Sequence, residues 1–63
     1  MQVTDLKTNK TVNMEAKTVK ELLNKLNINP TTVIVSRNDH LVTEEVKLKE
    51  EDDIKIIPIV SGG

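Results

Sequence analysis

Apolar and polar residues alternate through Met1-Gln2-Val3-Thr4 and lose that phase at Asp5-Leu6, the pattern of a strand that ends in a bulge or an early bend. A polar tetrad, Lys7 to Lys10, follows and contains an Asn suited to a left-handed turn. Val12, Met14 and Ala16 then alternate with Thr11, Asn13 and Glu15, so the opening of the chain predicts a β-hairpin. At Lys17 the period changes from two to 3.6. Thr18-Val19-Lys20-Glu21 predicts a helix start in which Thr18 caps the first turn and Glu21 reaches back as a capping box. Val19, Leu22, Leu23 and Leu26 fall at i, i+3, i+4 and i+7, a stripe of roughly 100° opposite Lys20, Glu21, Asn24 and Lys25. Asn27 to Pro30 closes the helix, because Asn tolerates a left-handed end position and Pro30 cannot continue the turn.

The β-branched run Thr32-Val33-Ile34-Val35 is apolar on both faces and predicts a central strand. Ser36 to Asp39 has turn chemistry, and His40-Leu41-Val42 reads as a brief returning strand. From Thr43 to Asp53 only Val46 and Leu48 interrupt a charged stretch, so a long connection is expected, with room for one helical turn begun at Thr43 and Glu44-Glu45. Glu50 to Asp53 lacks the alternating ligands and the turn glycine of a calcium loop, which leaves a solvated turn as its reading. Ile54-Lys55-Ile56-Ile57 predicts a last strand, and Pro58 removes an amide donor, so pairing is expected to stop within a residue or two.

These periodicities place Val3, Val12, Met14, Val19, Leu22, Leu23, Leu26, Val33, Val35, Leu48, Ile54 and Ile56 in one core between helix and sheet. With Ile54 and Ile56 inward, strand phase turns Ile57 outward beside Lys55 and Ile59, and Ile34 outward between Val33 and Val35. Ile34, Ile57 and Ile59 would then form an exposed apolar patch, of the kind that marks a docking surface.

Both glycines of the chain, Gly62 and Gly63, lie at the end of the sequence. The five residues from Ile59 to Gly63 could extend about 17 Å beyond a last strand, and the final two carry no Cβ to obstruct a narrow channel. Such an arm suits insertion into another protein's active site; a frayed terminus of small residues is the ordinary alternative. Inventory narrows the chemistry further. A domain of 63 residues buries only about 60% of its unfolded surface and has little room for an elaborate pocket. With no Cys, one His and no aromatic residue, thiolate metal sites, cysteine nucleophiles and base stacking are excluded, and His40 reads as a turn or strand-edge residue. A net charge of −1 offers no basic field for nucleic acid or anionic lipid. Neither a signal peptide nor a membrane span is legible, so the chain reads as soluble and cytoplasmic.

The element order is strand, strand, helix, strand, short strand, strand. It describes an α+β domain over residues 1–60, with one helix on one face of a mixed four- to five-stranded sheet, followed by the tail 61–63. First and last strands are natural parallel neighbours at the sheet centre. The whole chain resembles the β-grasp sulfur carriers typified by ThiS and MoaD, relatives of ubiquitin. The resemblance rests on Met1-Gln2-Val3, on Thr18-Val19-Lys20-Glu21-Leu22-Leu23, on Leu48 with the acidic turn and Asp53-Ile54, and on Pro58-Ile59-Val60-Ser61-Gly62-Gly63. The sequence departs from the family at Asp52-Asp53, where Gly-Asp is frequent, and at Ile57, where an aromatic is often found.

The resemblance implies a β-grasp (ubiquitin-like) carrier with no bound cofactor and no catalytic side chain of its own. Its Gly63 carboxylate would be adenylated by an E1-like adenylyltransferase that uses ATP, Ser61, Gly62 and Gly63 entering the partner's active site. A sulfur donor, a desulfurase or a rhodanese-like enzyme, would convert it to a thiocarboxylate. A sulfur-accepting synthase would then use it for thiamine thiazole, molybdopterin or tRNA thiolation. The carrier alone is expected to be a monomer that binds neither metal, nucleic acid nor membrane. A ubiquitin-like modifier joined to lysines through Gly63 shares the first step, and a non-conjugating interaction module of the same fold is the remaining alternative.

Overall fold

A computed structural model describes residues 1–59 of the chain. In chain order the elements are β1 (Gln2–Asp5), β2 (Lys10–Asn13), α1 (Val19–Lys25), β3 (Val33–Arg37), β4 (His40–Val42) and β5 (Asp53–Pro58). The strands form one mixed sheet in the order β2-β1-β5-β3-β4, with α1 against one face. β1 and β5 pair in parallel, Val3 opposite Ile54, and every other pairing is antiparallel. The mixed β-grasp sheet expected from the element order is therefore present with five strands. β5 holds its centre with β1 parallel beside it, and β3 is an inner strand between β5 and β4.

Local chemistry explains the element ends. Asn9, at φ 58°, turns the first hairpin. Thr18 Oγ1 accepts from the Glu21 amide at 3.2 Å, while the Glu21 carboxylate reaches the amide of Lys17 at 3.1 Å, one residue before the expected capping-box partner. At the other end Asn27 takes φ 60°, the Ile28 amide donates to the Leu23 carbonyl and the Asn27 amide to that of Asn24, a Schellman closure. Pro30 then opens a short 3-10 turn, Pro30–Thr32, capped by Asn29, whose Oδ1 accepts from the Thr31 amide at 3.0 Å. The hairpin between β3 and β4 turns on Asn38 and Asp39 alone, both at positive φ, so Ser36 and Arg37, expected in the turn, belong to the strand. Thr43 to Glu45 forms a turn and no helix; the chain there bridges to the helix start, Thr18 opposite Lys47.

The core contains Met1, Val3, Val19, Leu22, Leu23, Val35, Ile54 and Ile56, with Met14, Leu26, Val33 and Leu48 packed at its margin. Two of the expectations need correction. Val12 stands opposite Val3 but is 44% exposed, because the seven-residue helix does not extend over the edge strand β2. Met1 joins the core, and Ile28, Val42 and Val46 join its margin, none of them in the expected set.

The acidic run is also not simply a solvated turn. Glu50, Glu51 and Asp53 are exposed, yet Asp52 is buried. Its carboxylate accepts from Arg37 Nε at 2.7 Å, from Asn38 Nδ2 at 3.1 Å and from the Lys49 amide at 2.7 Å. Burial pushes this carboxyl upward, but those hydrogen bonds and the Arg37 charge outweigh it and hold the group below its ordinary value. Asn38 extends the network, its Oδ1 accepting from the Asp53 amide and its own amide donating to the Asp53 carbonyl. The β3–β4 turn and the start of β5 are thus fastened together. Among the described residues no helix is long and apolar enough to cross a membrane.

Candidate functional site

The sheet face turned away from α1 is divided into a polar and an apolar part. On the polar side Thr4 and Thr11 are cross-strand partners with hydroxyls 3.0 Å apart, and Lys55 reaches Asp39 at 3.3 Å. On the apolar side Ile34 and Ile57 are register partners across β3 and β5, and the period of two carries the same face on to Ile59. Ile34 is 40% and Ile59 49% exposed, while Ile57 between them is half-buried. The structure thus brings together the isoleucines that the alternation selected. Two further residues escaped the sequence reading. The Leu6 amide donates to the Ile56 carbonyl, continuing the parallel ladder and setting exposed Leu6 level with Ile57. Exposed Leu41 stands opposite Ser36, two residues along the same face from Ile34. The strand period alone could have placed Leu41; Leu6 was hidden because the β1 alternation breaks there.

The apolar patch lies where the chain leaves the sheet. Pro58 has no amide to donate, but pairing persists one residue further, the Ile59 amide donating to the Thr32 carbonyl at 3.0 Å. Ile59, expected to open the arm, is therefore tied to the sheet. Ser61, Gly62 and Gly63 lie outside the described residues.

Other chemistry on the described surface is sparse. His40 opens β4, is exposed, and has its Nδ1 3.1 Å from the Asn38 carbonyl oxygen. Among the described residues no three His, Asp or Glu side chains converge as a metal-binding group.

Comparison with known proteins settles the family. The ThiS family model matches residues 1–63. The chain belongs to the ThiS family. Within the matches, the chain is similar to the sulfur carrier protein TtuB of Thermus thermophilus, 38% identical over 45 residues that span 71% of this chain and 69% of the relative. Its fold is similar to a chain in the complex of subunits 1 and 2 of molybdopterin-converting factor from Helicobacter pylori. That match has a TM-score of 0.73 and 25% identity, and covers 98% of this ThiS-family chain and 96% of the other. Family, sulfur-carrier relative and structural neighbour agree with the ThiS/MoaD-like resemblance of the sequence.

Proposed function

We propose that this ThiS-family chain carries sulfur as a thiocarboxylate on Gly63. In this reading the Gly63 carboxylate attacks the α-phosphate of ATP on an E1-like partner and expels pyrophosphate. A persulfide on a desulfurase or rhodanese-like donor then attacks the acyl carbon and expels AMP, and a thiol cleaves the S–S bond of the resulting acyl disulfide, leaving the thiocarboxylate on Gly63 and a disulfide on the donor side. A carboxylate is a poor electrophile until it becomes a mixed anhydride, so the partner contributes the catalytic groups and the carrier contributes a docking face and a narrow end. The name of the Thermus relative and the assembly containing the Helicobacter chain support a carrier that works through partners.

The observation that carries the proposal is that the apolar face runs up to Ile59, the last described residue. Ile34, Ile57 and Ile59 lead to the last backbone bond among the described residues, at Ile59, and the four residues after it could span about 13 Å if extended. Docking on the isoleucines would therefore deliver Ser61-Gly62-Gly63 into a cleft close beside the contact. The sulfur acceptor is a synthase of the thiazole, molybdopterin or tRNA-thiolation class. Conjugation to lysines would begin with the same adenylate and differ only in the nucleophile.

Pyrophosphate release by the cognate activating enzyme tests the reading. Gly63→Ala is expected to abolish release while leaving thermal stability unchanged, because near-attack geometry tolerates little displacement. Release at the unsubstituted rate would contradict it.

A further inference from the structure

The sheet is open at a second place, on the side of β3 that β4 leaves. Val35 opposite Val42 is the last pair between β3 and β4, after which the chain departs toward the helix. There the Glu44 carbonyl accepts from the Lys20 amide and the Val46 carbonyl from the Val19 amide. β3, however, begins two residues before Val35, at Val33. Backbone bonds between β3 and β5 fall on alternate residues: the Thr32 carbonyl accepts from Ile59 and the Asn38 amide donates to Asp53. By that alternation Val33 directs its N–H and C=O away from β5, to the side β4 has left. Beside this short free edge lies a groove of about 450 Å³ between α1 and the sheet. Val19, Leu23, Val33 and Val42 line it together with Ile34 of the outer face and with Glu44 and Glu45, which follow Val42 in the chain. Both glutamates are exposed, and neither forms an ion pair among the described residues. Lys20 stands over an adjoining hollow with Leu23 and Pro30.

We propose that this groove docks an extended peptide segment of a partner protein, apolar at alternate residues and ending in Lys or Arg where it meets Glu44 and Glu45. An extended segment can satisfy the backbone groups of Val33 as an added strand, whereas a helix has no free N–H and C=O to offer along its side. Alternate side chains of such a strand point to one face, which drops every second residue into the apolar groove. The glutamates select basic residues at one end and disfavour an acidic segment or a nucleic-acid backbone.

The test is a titration of the full chain, followed by its backbone amide resonances, with the peptide acetyl-Thr-Val-Thr-Val-Lys-Lys-amide. Saturable shifts are expected at Val33, Val42, Glu44 and Glu45. Glu44→Lys combined with Glu45→Lys should weaken binding at least tenfold at low salt, and the same peptide ending in Glu-Glu should not bind. N-methylation of the peptide amide that pairs with Val33 should also abolish the shifts. Shifts centred on Leu6, Ile57 and Ile59, an affinity unaltered by charge reversal or N-methylation, or no saturation at millimolar peptide would overturn the proposal. Ile57→Asp, which should impair activation of Gly63, is expected to leave this binding intact, so the two surfaces fail separately.

Discussion

Removing the Asp52 carboxylate would leave the Arg37 guanidinium, the Asn38 side-chain amide and the Lys49 backbone N–H facing one another without their acceptor. Asp52→Ala should therefore destabilise the fold by about 1 to 3 kcal/mol, measured by denaturant unfolding. The same network sets a pH dependence. Because the folded carboxyl titrates below its ordinary value, its stabilisation is complete above the unfolded value of about 3.9 and is lost as pH falls through the folded one. Unfolding free energy should accordingly drop at acid pH in the unsubstituted protein and drop less steeply in Asp52→Asn. Nothing in the sequence marked Asp52 off from Glu50, Glu51 and Asp53. Composition and turn chemistry describe the run as a whole. The one carboxylate turned inward is chosen by Arg37 and Asn38, 15 and 14 residues away, through a β3–β5 register that local pattern does not contain.

At the scale of elements, α1 is seven residues long, too short to persist alone in water, so it is held by packing and by its two closures. Leu22 and Leu23 are fully or almost fully buried, and Leu23→Ala should cost about 2 to 5 kcal/mol, read as a lowered denaturation midpoint at unchanged slope. A neutral outcome would mean that the helix presents another face to the sheet. Helix, hairpin and last strand were legible because each has a clean period and an end signal: Thr18 and Glu21 at the start, Asn27 at the close, Asn9 in the first turn. What failed did so for want of local signal. Val12 has the alternation of a core residue, but its exposure depends on how far α1 reaches across the sheet. The stretch Thr43–Glu45 has the residues of a helix start, yet tertiary bonds from the Val19 and Lys20 amides to the Val46 and Glu44 carbonyls hold it as a turn.

Across the whole molecule, α1 covers one sheet face and leaves the other uncovered. Ile57 lies on the uncovered face at its boundary with the tail, half-buried between Ile34 and Ile59. Ile57→Asp should keep the fold, because the side chain points away from α1, and should raise KM for the carrier in the activation reaction more than it lowers kcat. Loss of folding would place Ile57 in the core, and an unchanged KM would remove the patch from the docking account. The patch was legible as a consequence of strand phase. The anchoring of Ile59 on Thr32 was not, since it depends on where β3 begins relative to β5.

Intact-mass analysis of the full chain reads out directly whether sulfur is carried at Gly63. The chain would be incubated with its activating enzyme, ATP and a sulfur donor, and fragmented to locate any change. A single sulfur-for-oxygen exchange confined to Gly63 is expected, absent without ATP and absent in Gly63→Ala. An unmodified terminus under conditions where the partner forms adenylate on another carrier of the family, or sulfur located elsewhere in the chain, would contradict it.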